Sequence, residues 1–193
     1  FPVLPDFILD FNLNIVELDI SKNRIDEINE NAFQSNLNLR ILRLSVNNLH
    51  SLNNDLFKNL INLTELHLNQ NKLKKLKDKL FINQNNLHLL DLSFNYLEEI
   101  NNLTFKGLEN LQILKIENNY LKRLHKNSFI HLRKLKHLDS FDYQNIKYIE
   151  PESFLGLENL SNLDFNFNLL TQIYNNTFYG LIKLRHLYLR NNQ

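Results

Sequence analysis

The sequence predicts an α/β solenoid, and three observations predict it. Apolar residues recur at fixed slots: Leu87, Leu90, Leu92, Asn95, Leu97, Ile100, Phe105 and Leu108 return 24 residues later as Leu111, Leu114, Ile116, Asn119, Leu121, Leu124, Phe129 and Leu132. A unit repeating at such a period buries its apolar faces against its neighbours instead of in one central core. Leucine occurs 42 times and asparagine 34 times in 193 residues, which supplies an apolar framework and an amide for every unit. Within each unit the segment x-x-Leu-x-Leu alternates with period two, the pattern of a short strand with its leucines on one side.

The elements follow in chain order. Residues 1–14 carry Pro2 and Pro5 outside the register and read as an N-terminal cap or its remnant, because proline suits an edge better than a central strand. Residues 15–193 are repeats. The first has Ile15, Leu18, Ile20, Asn23, Ile25, Ile28 and Phe33. The second has Leu39, Leu42, Leu44, Asn47, Leu49, Leu52, Phe57 and Leu60. The third has Leu63, Leu66, Leu68, Asn71, Leu73, Leu76 and Phe81, and the fourth and fifth are those above. The seventh has Leu160, Leu163, Phe165, Asn168, Leu170, Ile173, Phe178 and Leu181. The eighth begins with Leu184, Leu187, Leu189 and Asn192, giving seven complete repeats and a truncated one.

The sixth repeat departs from the rule. Leu135 to Leu160 spans 25 residues, and Tyr143, Gln144 and Asn145 stand where one asparagine belongs. One residue is inserted around Ser140 to Asn145, read either as a bulge absorbed by a loop or as a protruding contact.

Each slot has a physical task. Successive strands stack into a parallel sheet about 4.8 Å apart, so eight of them span on the order of 35 Å. The turn after each strand leaves backbone groups that must be paired, and an amide side chain both donates and accepts. The phenylalanines Phe33, Phe57, Phe81, Phe105, Phe129, Phe154 and Phe178 form a second column on the opposite side.

Composition excludes several functions. A net charge of +1 provides no field toward nucleic acid or anionic lipid, so no nucleic-acid partner is expected. There is no run of 18 apolar residues and no membrane span is expected. Cysteine is absent, which removes disulfides and thiolate metal sites. The start at Phe1 is read as a removed signal peptide or a fragment.

These repeats resemble the typical, 24-residue class of leucine-rich repeats, found in Toll-type receptors, chaoptin, Slit and the small leucine-rich proteoglycans. Eight correctly spaced copies and the Phe-x-Gly-Leu segments ending at Leu108, Leu157 and Leu181 carry the resemblance. It implies a horseshoe with its parallel sheet on the concave face and loops, short helical or 3-10 turns on the convex face. It also implies an extracellular or cell-surface binding scaffold whose ligand lies on the concave face. The paired cysteines of the family's flanking caps are missing, which points to a partial chain or a divergent member.

With the core slots assigned, specificity is expected on the outward strand residues. The candidate ligand-binding set is Arg43, His67, Leu89, Asp91, Phe94, Ile113, Lys115, His137, Asp139, Asp164 and Tyr188. Leu89, Ile113 and Phe94, with Ile41, are apolar where solvent is expected, a feature of protein interfaces and also of ordinary surfaces. The seven histidines are scattered over the repeats without metal spacing and read as solvated. Asp164-Phe165-Asn166-Phe167-Asn168 imitates a calcium loop, but Leu169 stands where glycine is required and no glutamate closes it. Basic runs at Lys72, Lys74, Lys75, Lys77 and Lys79, and at Lys122, Arg123, Lys126, Arg133, Lys134 and Lys136, read as solvated faces, with an anionic polysaccharide as the alternative ligand. Asn62, Asn102, Asn159 and Asn175 head sequons and are the glycosylation candidates, although so many asparagines also produce such triplets by chance.

Acids and bases are spread one per repeat with no nucleophile motif or phosphate loop, so no enzyme, cofactor or metal is expected. The expected function is a non-catalytic, protein-binding domain of an extracellular receptor or adhesion protein. Its rivals are an intracellular adaptor or inhibitor on the same scaffold and a secreted matrix protein that binds polysaccharide.

Overall fold

The computed structural model describes residues 2–4, 14–139, 141 and 144–193, with the side chain of Asp139 outside that set. Twelve short strands follow one another: β1 (Val3–Leu4), β2 (Glu17–Asp19), β3 (Glu27–Ile28), β4 (Ile41–Arg43), β5 (Glu65–His67), β6 (Leu89–Asp91), β7 (Ile113–Lys115), β8 (Arg123–Leu124), β9 (His137–Asp139), β10 (Tyr148–Ile149), β11 (Asn162–Asp164) and β12 (His186–Tyr188). The x-x-Leu-x-Leu segments build the main parallel ladder, β2-β4-β5-β6-β7-β9, and β11 pairs with β12. The register carries each leucine onto its equivalent, Leu42 to Leu66 to Leu90 to Leu114 to Leu138, as a fixed repeat length demands. Two further parallel pairs, β1 with β3 and β8 with β10, have no signature in the leucine pattern; β3, β8 and β10 follow the ladder amide of their repeats. Of the expected cap over 1–14, Val3 and Leu4 add to β3 and Leu4 is buried, while residues 5–13 lie outside the described set.

The asparagine slot works as an amide ladder. Asn95 is buried; its Oδ1 accepts from Leu73 N at 3.0 Å, and its Nδ2 donates to Leu68 O at 3.0 Å and Leu92 O at 3.1 Å. Each amide thus closes its own turn and ties down the turn before it. Asn47, Asn71, Asn119, Asn168 and Asn192 repeat the pattern.

The sixth repeat keeps the ladder with a different residue. Gln144 is fully buried, donates from Nε2 to Ile116 O at 2.6 Å, and accepts at Oε1 from Leu121 N at 3.5 Å. Asn168 Nδ2 reaches back to Phe141 O at 2.6 Å, so Phe141 fills the second leucine slot. Leu138 fills the first, opposite Leu114. The extra residue therefore falls between Leu138 and Phe141, ahead of most of the stretch that the sequence marks as irregular. Asn145, expected near the amide slot, is exposed. Phe141 and Phe165 stack at 4.7 Å and meet Phe129 and Phe154 edge-on at 5.9 and 5.8 Å, which fills the space around the irregular rung with rings.

The phenylalanine column is continuous and buried from Phe33 to Phe154. Phe57–Phe81, Phe105–Phe129, Phe129–Phe154 and Phe154–Phe178 sit 5.8–6.1 Å apart in near-parallel stacks. Strands in a sheet are only about 4.8 Å apart. Each repeat is wider on its ring side, so the stack bends toward the strands and makes their face concave. The convex side has the expected loops and short turns, without helices among the described residues. The chain makes successive single turns closed by i to i+3 bonds, such as Lys58 N to Asp55 O and Leu60 N to Phe57 O. Ile173, Leu187 and the leading Leu18 are incompletely covered because each has a neighbouring rung on one side only. Among the described residues no helix is long and apolar enough to cross a membrane.

Two polar residues interrupt an otherwise leucine slot. Asn36 and Gln84 stand where Leu60, Leu108, Leu132, Leu157 and Leu181 stand in other repeats. Both are buried, Asn36 Nδ2 and Gln84 Oε1 have no partner, and Gln84 Nε2 bonds only Phe57 O. An unpaired buried amide group costs about 1–3 kcal/mol. Asn36→Leu is expected to raise stability by about that amount, read as a higher urea midpoint at unchanged m-value; an unchanged or lower midpoint would contradict it.

Candidate functional site

The strand face presents two outward rows. One runs Ile41, Glu65, Leu89, Ile113 and His137 in register; the other runs Asp19, Arg43, His67, Asp91, Lys115 and Asp139. Leu89 and Ile113 are adjacent, half-buried and form an apolar centre on the concave face. Several polar candidates are committed within the fold. Arg43 pairs with Glu17, and His67 Nε2 lies 3.3 Å from Glu65 Oε2. Asp91 is 8% exposed, and its Oδ1 accepts from Ser93 N at 3.1 Å and Ser93 Oγ at 2.7 Å. Asp164 Oδ1 accepts from Asn166 N at 2.8 Å. Asp19 holds Ser21 in the same way, and the Ser21 hydroxyl, followed by its backbone N–H, keeps that carboxyl below the usual aspartate range. These aspartates cap the turn that follows each strand. His137 is exposed; Tyr188 is exposed and stacks on His186, whose Nδ1 lies 2.9 Å from Asn162 Oδ1. The side chain of Asp139 lies outside the described set.

Above the strands, the residue before each ladder asparagine is left-handed. Lys22, Val46, Gln70, Phe94, Asn118, Phe167 and Asn191 have φ between 53° and 57°. This conformation costs a side chain on the order of 1 kcal/mol, with asparagine penalised least and β-branched or bulky residues most. Phe94 nevertheless sits there at 49% exposure. Beside it Tyr96 and Tyr120 are 44% and 48% exposed and stack at 5.5 Å with an interplanar angle of 8°. Together with Asn71, Asn95, Asn118, Asn119 and Asn145 they line an open depression of about 450 Å³. Phe94 was legible in the sequence as a candidate. The two tyrosines were not, although an aromatic directly after the ladder asparagine in two successive repeats is a readable signal.

The remaining candidates separate by their partners. Lys75 lies 3.0 Å from Glu99, and that hydrogen bond favours its charged form. Lys126 lies 2.9 Å from Glu152, and Arg123 sits near Glu150 and 5.0 Å over the Tyr148 ring. Lys134 and Lys136 donate to Asn110 and Gln112. Five of the eleven basic residues named in the two runs are thus engaged at home. Among the sequons, Asn62 donates to Leu37 O at 2.9 Å, and Asn159 donates to Arg133 O at 2.7 Å while accepting from Lys183 at 2.6 Å. Asn102 and Asn175 are exposed and make no hydrogen bond among the described residues. Among the described residues no three His, Asp or Glu side chains are grouped to hold a metal ion.

Comparison with known proteins agrees with this geometry. The profile described as Leucine rich repeat matches residues 13–73, 37–97, 85–139 and 141–193. The crystal structure of the TLR13–ssRNA13 complex aligns over 98% of this chain with a TM-score of 0.92 and 30% identity. The structure of the Drosophila Toll–Spatzle complex aligns over 100% with a TM-score of 0.83 and 25% identity. The chain spans 27% of the first of these chains and 30% of the second. No curated protein sequence matches it.

Proposed function

The chain belongs to the leucine-rich repeat family, and from that premise we propose that it is a non-catalytic, protein-binding stretch of an extracellular receptor or adhesion ectodomain, with its ligand on the concave face. The observation that carries the reading is the full-length match to segments of two ligand-bound Toll-type proteins. One of those structures holds a single-stranded RNA and the other a protein, Spatzle. Charge favours protein for this chain. Its strand rows carry Glu17, Asp19, Glu65, Asp91 and Asp164 against Arg43 and Lys115, and Arg43 is already paired with Glu17. Phosphates laid along that face would meet more carboxylates than cations, the reverse of a nucleic-acid footprint. Leu89 and Ile113 instead offer the apolar centre, ringed by polar groups, that protein interfaces use.

The test is retention of extracellular proteins and of RNA on immobilised chain. A protein held by the wild type and by Leu37→Glu, away from the strands, is expected to be lost with Leu89→Glu or Ile113→Glu. Retention of RNA alone, or of a protein indifferent to both concave variants, would overturn the reading. Glycan found on Asn102 or Asn175 in material from the native source would support the extracellular assignment.

A further inference from the structure

We propose that the depression beside Phe94, Tyr96 and Tyr120 binds an uncharged, proline-containing polypeptide segment in the polyproline II conformation. The proposal rests on the protein-binding reading above and adds a second contact, on the rim of the concave face, with a defined ligand chemistry.

These aromatics are not architecture. The slot of Tyr96 and Tyr120 holds Arg24, Asn48 and Lys72 in the preceding repeats, and the backbone N–H of Asn48 and Lys72 bonds the preceding turn as those of the tyrosines do. Phe94 occupies a left-handed position that the next repeat gives to Asn118, so the fold gains nothing from the ring. The left-handed conformation belongs to the slot in all seven repeats where it is described, and a bulky ring is among its costliest occupants.

The lining selects the ligand. Among the described residues no charged side chain borders the depression, so phosphate and sulfate groups find no counter-ion there. Asn71, Asn95 and Asn119 also line it, but their amides are spent on the ladder. Only the amides of Asn118 and Asn145 remain without partners. A sugar carries a hydroxyl on most of its carbons and would leave several unpaired against so few groups. Polyproline II matches the supply: proline has no N–H to satisfy, and its solvated carbonyls can accept from two side-chain amides. Its rings pack on exposed aromatic faces, the mode by which aromatic-lined grooves take such segments. The length also fits. One three-residue turn rises about 9 Å, close to two rungs of about 4.8 Å each. Residues one turn apart would therefore meet the Phe94–Tyr96 repeat and the Asn145 repeat, with Tyr120 between them.

The experiment titrates fluorescein-labelled decaproline into the whole chain, followed by anisotropy, with maltohexaose and a uridine oligonucleotide as competitors. Saturable decaproline binding is expected, insensitive to both competitors. It should weaken about tenfold or more in Tyr96→Ala and in Tyr120→Ala. It should be lost in Phe94→Asn, a variant expected to melt about 2–4 °C higher, so that lost binding is not lost folding. Leu89→Glu should bind decaproline as the wild type does, which separates this site from the concave centre. Failure of the wild type to bind decaproline, displacement by maltohexaose or the oligonucleotide, or full binding by Phe94→Asn would overturn the inference. Loss of a protein ligand in Leu89→Glu would leave the broader reading standing in any of those cases.

Discussion

Asn95→Leu is expected to cost about 3–5 kcal/mol and to divide the unfolding transition in two. Leucine fits the slot in volume, so the loss isolates hydrogen bonding. Asn95 accepts from Leu73 N and donates to Leu68 O and Leu92 O, all buried. Removing it strands one donor, Leu73 N, at about 1–3 kcal/mol, and forfeits the bonds to Leu68 O and Leu92 O at about 0.5–1.5 kcal/mol each, since those carbonyls keep Asn71 and Asn119 as donors. Leu73 and Leu68 belong to the preceding repeat, so the change weakens the interface between the third and fourth rungs as well as one turn. In a solenoid, stability is the sum of unit and nearest-neighbour terms, and a weakened central interface lets the two halves unfold separately. Asn192→Leu removes equivalent bonds to Leu170, Phe165 and Leu189, but that amide is only half-buried and water can replace it. Its cost should be near 1 kcal/mol, with the transition still single. Urea unfolding followed by circular dichroism decides: equal losses in the two variants would show that burial does not set the strength of the ladder.

The same comparison shows why parts of the molecule were legible in the sequence. The ladder asparagines, the strand leucines and the ring column each need one chemistry at one spacing, and so each leaves a period. Gln144 escaped that reading because function in this slot depends on where the amide reaches. A longer side chain reaches Ile116 O from a rung displaced by an insertion. The insertion was located only to the stretch Ser140 to Asn145, and its place at the start of that stretch stays hidden because Phe141 in a leucine slot masks the register until Asn168 is seen bonding its carbonyl. Asn36 and Gln84 were passed over for the opposite reason: they break a leucine column without any local sign that the break is buried.

The candidate site was legible in outline only. Alternation correctly assigns Leu89, Ile113, His137 and Tyr188 to the outward face. It cannot tell an outward aspartate that meets a ligand from one that caps its own turn. Asp91 and Asp164 have the second role, and the signal for it was present in Asp91-x-Ser93 and Asp164-x-Asn166, where a short polar donor follows two residues on. Nor can alternation see beyond the strand, which is why the rim tyrosines were missed. The strained φ of Phe94 is invisible until the backbone is known.

Gly107→Ala is expected to cost about 4 kcal/mol or more, concentrated between the third and fourth repeats. All three glycines of the chain occupy one slot, on the convex side after the phenylalanine, with φ near 99°. Elsewhere the slot holds Asn59 and Asn83, whose amides reach back 3.0 Å to Gln34 O and Lys58 O in the preceding turn. Ser35 and His131 hold the slot in the first and fifth repeats; in the other five the chain solves one contact in two ways, by a side chain that bridges the turns or by a glycine that lets the backbones touch. At Gly107 the approach leaves no room: a Cβ would lie 2.1 Å from Phe81 O and 2.6 Å from Ile82 Cα, both backbone atoms. The third and fourth turns would have to separate, disturbing the buried Phe81 and Phe105 together. Gly180 provides the control. It shares the φ of Gly107, but the nearest atom to its Cβ would be Leu155 Cα at 3.1 Å, a distance that small shifts can absorb. Gly180→Ala should lose only the conformational part, about 1–2 kcal/mol. The difference between the two variants measures the cost of backbone contact alone. Amide exchange should place the damage in Gly107→Ala at the turns around Phe81 and Phe105 and leave the seventh repeat protected. Equal destabilisation by both variants would mean that φ, and not close approach, is what reserves this slot for glycine.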